Sequence, residues 1–213
     1  VMFGMGLTLK LDDFAALARQ PWRVMLGVVA HFVIMPGMAW LLCQLFQLPP
    51  EIAVGVILVG CCPSGTASNV MVWLSRGDLA LAVAIAAVTT LLAPLLTPAL
   101  IWFLASAWLP VSFMDMFWSI LQLVMLPIVL GVIAQRLLGA RVQAAVQVLP
   151  LVSVVSIVMI VCAVVAASQA KIAESGLLIM AVVVLHNSFG YLLGYLTGRL
   201  CKLPLAQRKS LAL

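Results

Sequence analysis

Six stretches of this sequence, 22–45, 52–74, 79–107, 112–135, 144–168 and 175–198, hold at most one charged residue each. Each is long enough for a helix to cross a bilayer core, which takes about 20 apolar residues. Hydrophobic residues make up 66% of the chain and charged residues 8%, against about 45–50% and about 25% in a soluble domain. A chain of this length could not hide so much apolar surface from water. It reads as an all-α membrane protein, with lipid as its partner.

The loops between the runs set an orientation. One alternating set carries Lys10, Arg19, Arg23, Arg76, Arg136, Arg141, Arg199, Lys202, Arg208 and Lys209, ten of the eleven basic residues; the other set carries Lys171. Cytoplasmic loops are enriched in Lys and Arg, so the first set is cytoplasmic. The net charge of +5 is thus spread over many loops, which argues against a nucleic-acid surface. "LDDFAALARQPW" (11–22) reads as a short interfacial helix capped by Asp12 or Asp13, with Pro21 starting the next helix. Cys43, Cys61, Cys62, Cys162 and Cys201 form no CxxC pair. They read as buried small hydrophobes, without a disulfide framework or zinc spacing.

The second run contains "GCCPSGTASNVM" (60–71). Pro63 removes a backbone hydrogen bond and clashes with the preceding turn. Gly60 and Gly65 permit unwinding. Irregular backbone at membrane depth is tolerated where it lines a cavity or is buried in protein. The expectation is a break at 60–65 facing a site, with a second half-helix from about Thr66. Its free N–H groups would attract an anion, and the surrounding oxygens a small hard cation. The alternative is a kinked but continuous helix.

A gapless repeat relates 24–49 to 179–204. Met25, Val28, Val29, His31, Leu41, Leu45, Leu48 and Pro49 recur 155 residues on, as Met180, Val183, Val184, His186, Leu196, Leu200, Leu203 and Pro204. The charge rule places the start of the first copy and the end of the second on the same side, so the copies are antiparallel. Inverted repeats mark secondary transporters, with the site near midplane. The repeat implies a longer chain of about ten spans, of which this sequence is an internal stretch.

The run from "EIAVGVILVGCCPSGTASNVMVWLSRGDLALAVAIA" through "TTLLAPLLTPAL" to "GLLIMAVVVLHNSFGYLLGY" resembles the bile acid:sodium symporter family of bacteria. The resemblance implies ten helices in two inverted five-helix repeats, a core and a panel domain, and two broken helices crossing in the core. It implies four segments: 1–20, the end of a panel helix and the interfacial helix; 21–107, core helices including the broken 52–74; 108–170, panel helices; and 171–213, core helices again. The implied function is symport of a small organic anion, a bile acid or a pantothenate-like acid, driven by sodium. A monomer in the bacterial inner membrane is expected.

Ser68 and Asn69 match the family's sodium ligands, and Gly65, Thr66 and Asn69 its substrate positions. Three residues depart. Ala82 and Ala86 stand where relatives have hydroxyls at a first sodium site. His31 replaces a glutamine at a second. A further shared glutamate would fall just past Leu213. His31 is the candidate for a sodium or a proton site, because histidine titrates near neutral pH. A proton-coupled transporter of the same fold is therefore the first alternative. An intramembrane serine hydrolase is the second, with Ser64 or Ser68 activated by His31 or His186; a channel is the third. On the transporter reading the expected cofactor is a sodium ion, replaced by a proton in the alternative, and no catalytic residue is expected. Gly190, Gly194 and Gly198 read as a close-packing helix face. Pro36, Pro94, Pro98 and Pro127 read as helix bends, and Gln122 as a lone intramembrane amide.

Overall fold

The computed structural model describes residues 2, 3, 7, 20–106, 112–138 and 140–213. The expected interfacial helix, with Asp12 and Asp13, lies outside the described residues. Among the described residues every regular element is a helix. In chain order these are α1 (Pro21–Leu45), α2 (Pro50–Cys61), α3 (Thr66–Leu74), α4 (Leu79–Ala105), α5 (Phe113–Ile120), α6 (Leu126–Leu138), α7 (Ala140–Ala167), α8 (Gln169–Leu200) and α9 (Leu205–Ala212).

Among the described residues, four helical stretches are long and apolar enough to cross a membrane: Pro21–Leu45, Leu79–Ala105, Phe113–Leu137 and Ser175–Leu200. The run at 52–74 is divided between α2 and α3, of 12 and 9 residues. At about 1.5 Å per residue neither half spans the roughly 30 Å core alone. The run at 144–168 lies in α7, where Val154–Ala167 is the shorter apolar stretch. Prolines explain several boundaries. Pro21 and Pro50 occupy first-turn positions, where a missing N–H costs nothing. Pro36, Pro94 and Pro98 lie inside helices that continue through them. Pro127 follows a π-turn, Leu121–Met125, in which the Leu126 N–H reaches Leu121 O. The extra residue per turn absorbs the clash of a proline ring with the carbonyl four residues earlier. Gln122 lies on this turn.

The contacts divide the chain into two units. Unit 1 is Val1–Lys10 with Trp118–Met180; unit 2 is Leu11–Phe117 with Ala181–Leu213. In unit 1, α6 packs on α7. In unit 2, α1, α2 and α4 pack on one another. Val24, Val28 and Phe32 of α1 meet Leu81, Ala84 and Ile85 of α4 in a buried cluster. Apolar side chains gain little by leaving lipid for protein, so close packing of small residues holds such helices together. Gly60 shows this: a Cβ there would lie 2.8 Å from the Ala39 Cβ and 2.9 Å from Met35 O. The glycine face of α8 does the same. A Cβ at Gly190 would meet Met35 Sδ at 2.7 Å, at Gly194 Leu211 O at 2.8 Å, and at Gly198 the Arg208 Cα at 3.2 Å.

The repeat is visible in the backbone. After α1, Gln47 is left-handed (φ 46°), Phe46 N–H bonds Leu42 O and Leu48 N–H bonds Cys43 O. After α8, Lys202 is left-handed (φ 55°), Cys201 N–H bonds Thr197 O and Leu203 N–H bonds Gly198 O. All these positions are 155 apart. Both copies end in the same helix stop, a Schellman-type turn built on a left-handed residue. Both then restart through a proline, Pro49 or Pro204, in the extended region.

The basic loops also meet as the charge rule requires. Gln207 Nε2 donates to Gln20 Oε1 (3.1 Å) and to Asp78 Oδ2 (3.2 Å). Lys209 Nζ donates to Ser75 O (2.7 Å), and Ser210 Oγ to Asp78 O (2.8 Å). The start of α1, the α3–α4 turn and the start of α9 therefore share one end of unit 2. Since α9 follows α8 directly, α8 ends where α1 begins, and the two copies run antiparallel. Asp78 also caps α4, accepting from Leu81 N–H at 3.1 Å.

The cysteines depart from expectation. Cys43 and Cys61 are buried, but Cys62, Cys162 and Cys201 are exposed. Cys62 lines a cavity at the break and Cys201 lies in the turn after α8, where the polar surroundings do not bury the thiol. All five are free thiols.

Candidate functional site

The helix breaks within the stretch marked by glycine and proline. Cys62 is extended (φ −69°, ψ 148°) and so is Gly65 (φ −81°, ψ 146°), and α3 starts at Thr66. The continuous kinked helix is not what forms. The end of α2 leaves carbonyls without helical partners. Three are met. Cys62 N–H turns back to Val59 O (3.3 Å). Thr97 Oγ1 of α4 donates to Cys61 O (2.8 Å). His31 of α1 donates Nε2–H to Cys62 O (2.9 Å). A carbonyl only accepts, so the Nε2 of His31 carries the hydrogen.

The start of α3 is arranged differently. Gly65 has no side chain with which to cap it. Ser68 turns back on the break, with N–H and Oγ both donating to Gly65 O (3.1 and 2.8 Å). Ser64 Oγ lies 3.3 Å from Ser68 Oγ. The side chain of Thr66 lies outside the described residues. Asn69 Oδ1 is buried and has no hydrogen-bond partner among the described residues. An amide oxygen accepts only, and leaving it buried and unmet costs about 1–3 kcal/mol. A hydrogen-bond donor or a cation would meet it, and hard cations take oxygen ligands. Ser68 and Asn69 therefore fit a cation such as sodium. Ala82 and Ala86 are buried on α4 and carry no side-chain oxygen. The hydroxyls that follow them, Thr89 and Thr90, both donate to Ala86 O (3.0 and 2.7 Å).

Beside the break, wholly within unit 2, is a cavity of about 260 Å³. His31, Ser64, Gly65 and Ser68 line one part of it, Asn187 and Tyr191 of α8 another. Among the described residues, no acidic side chain and no Lys or Arg lines it. Gly65, Ser68 and His31 are thus brought together, while Asn69 sits next along α3 and outside this lining. Asn187 and Tyr191 stand one turn apart on α8. Asn187 Nδ2 donates to Val183 O within the helix (2.9 Å), which leaves its oxygen as an acceptor. Sequence reasoning did not mark Tyr191 or Thr97 for the site. Their signals are slight: a Tyr following a packing glycine, and a Thr preceding Pro98.

The histidines do not serve the serines. His31 is committed to Cys62 O, and His186 Nε2 bonds Met35 O at 3.0 Å. The hydrolase reading needs a base within hydrogen-bond reach of its nucleophile; Ser64 and Ser68 instead bond each other and the backbone.

The profile of the sodium bile acid symporter family matches residues 1–175. A sodium-dependent transporter of Bacillus subtilis, YocS, is 53% identical over 213 residues, 100% of this chain and 66% of its own length. A probable sodium/metabolite cotransporter of Arabidopsis thaliana chloroplasts, BASS1, is 33% identical over 213 residues, 100% of this chain and 53% of its own length. Human sodium/bile acid cotransporter 4 is 38% identical over 108 residues, 51% of this chain and 25% of its own length. The chain spans about half to two thirds of the length of the first two. All three are named as transporters or cotransporters rather than as enzymes.

Proposed function

The chain belongs to the sodium bile acid symporter family, and on that premise we propose that it is the ion- and anion-binding part of a secondary transporter that couples sodium to a small organic anion. The observation that carries this reading is the buried Asn69 Oδ1, without a partner among the described residues, one residue from Ser68 and a turn from a helix start with no side-chain cap. A cation there meets the unmet oxygen. It also places a positive charge beside the cavity, where no Lys or Arg is found among the described lining residues.

The anion then sits against Gly65 and Thr66, where the partial positive charge of α3 adds to that of the cation. Asn69, Ser68 and the helix start belong to one short helix, so binding of either ligand orders the same element. Coupling follows if each ligand binds one conformation better than the other. We assign unit 2 to the core domain and unit 1 to the panel; the contact boundaries at 117/118 and 180/181 support that division. The bacterial inner membrane is the proposed location, from the cytoplasmic bias of the basic loops and the similarity to the Bacillus transporter.

The test is uptake by the intact protein in proteoliposomes, with labelled acids running from bile acids to pantothenate. An inward sodium gradient should concentrate at least one acid, with saturation, and a potassium gradient should not. Uptake that is equal in sodium and potassium contradicts sodium coupling. Flux that never saturates and builds no gradient contradicts a carrier.

A further inference from the structure

Cys61 O and Cys62 O, at the end of α2, are met by side chains from two other helices, 36 and 31 residues away in sequence. A continuous helix would satisfy them with the N–H groups of Gly65 and Thr66, but the extended backbone at 62–65 takes those away. Thr97 is buried, at 2% exposure, so Cys61 O has little recourse to water. One turn further along α1, His186 Nε2 bonds Met35 O, which ties α8 to the same helix. The Nε2–H of His31 is taken up by its bond to Cys62 O, while Nδ1 of the neutral ring keeps its lone pair.

We infer that His31 and Thr97 are positioning residues that clamp the break: their N–H and O–H hold the last two carbonyls of α2, and so fix where α3 and Asn69 stand. His31 acts on the break through its Nε2–H. The effect on ion binding rests on the sodium reading above; the clamp itself does not.

Four variants of the intact protein test it. Thr97→Val and His31→Leu remove the donors at similar volume, while Thr97→Ser and His31→Gln keep an O–H or an N–H. The first readout is amide hydrogen exchange over 64–68. An unmet carbonyl at the break favours local opening, so exchange should quicken about tenfold or more in Thr97→Val, whose acceptor is buried, and by a smaller factor in His31→Leu, whose acceptor Cys62 is exposed. It should stay within about threefold of wild type in Thr97→Ser and His31→Gln. The second readout uses sodium alone as probe: the concentration giving half-maximal thermal stabilisation should rise by about tenfold in the donor-less pair and hold in the other.

Exchange that is the same in all four variants overturns the clamp. Exchange or sodium response that suffers equally in His31→Gln and His31→Leu overturns it for His31, because an amide donor should suffice. Faster exchange with an unchanged sodium midpoint overturns the positioning role. Exchange that behaves as expected in a protein whose wild type shows no sodium response leaves the clamp standing and removes the sodium reading instead. If His31→Leu does not fold, the near-isosteric Thr97→Val and Thr97→Ser carry the decision.

Discussion

Two glycines of α2 should respond in opposite directions to the same methyl group. At Gly60 a Cβ would lie 2.8 Å from the Ala39 Cβ, 2.9 Å from Met35 O and 3.2 Å from the Met35 carbonyl carbon. Carbon pairs prefer about 3.5–4.0 Å. The neighbours are backbone and a one-carbon side chain, with no rotamer to turn aside. The only relief is for α1 and α2 to part, and overpacking of this kind costs about 1–3 kcal/mol. At Gly55 nothing lies within 4 Å of the new Cβ. There the gain in helix propensity dominates, worth about 0.5–1 kcal/mol. Gly60→Ala and Gly55→Ala should therefore differ by about 1.5–4 kcal/mol. At roughly 2–4 °C per kcal/mol for a chain of this size, the unfolding midpoints should be separated by roughly 3–16 °C. Thermal unfolding of the purified protein in detergent, followed by tryptophan fluorescence, measures it. Equal midpoints, or a Gly60→Ala protein more stable than Gly55→Ala, would refute the close approach of α1 and α2. The consequence reaches the site, because the displaced carbonyl of Met35 is also the acceptor of His186.

Further outcomes follow from single contacts. Asp78→Ala removes the cap of α4 and an acceptor of Gln207, and should cost about 1 kcal/mol or more in thermal unfolding; Asp78→Asn keeps a cap oxygen and should recover part of that. Gly194→Ala sets a Cβ against the backbone of Leu211 and Ala212 and should destabilise by about 1–3 kcal/mol, whereas Gly37→Ala, with nothing within 4 Å, should not destabilise. The pH profile of uptake between about 6 and 8 should be unchanged in His31→Gln, since the donated hydrogen bond is retained on either side of histidine's titration. A profile that flattens in that variant would restore proton coupling through His31.

The parts of the fold legible in sequence are those set by local chemistry. Pro63 between Gly60 and Gly65 marks the break, because no neighbour can return the hydrogen bond that proline deletes. The repeat is legible because a helix stop needs particular residues at fixed spacing; Leu48–Pro49 and Leu203–Pro204 each follow a left-handed residue. The same-side meeting of Gln20, Asp78 and Gln207 follows from charge in the loops. What sequence does not carry is which long-range donor meets which carbonyl. Thr97 and His31 reach the break across 36 and 31 residues, and their type alone is equally consistent with bonding within their own helices, as Thr89 and Thr90 do. The π-turn at Leu121–Met125 is hidden for a related reason, since Pro127 predicts a bend without stating how the helix relieves it.

The central claim is that the buried oxygen of Asn69 waits for sodium. The most direct measurement is the unfolding midpoint of the intact protein in sodium against potassium, for wild type and Asn69→Ala. A ligand bound only by the folded state must stabilise it, by about 2.7 kcal/mol at a hundred times its dissociation constant. Wild type should gain stability in sodium and not in potassium. Asn69→Ala should lose that gain while being no less stable than wild type in potassium, because the substitution also removes an unmet polar atom. A sodium response that survives in Asn69→Ala, or is absent from wild type, would contradict the account.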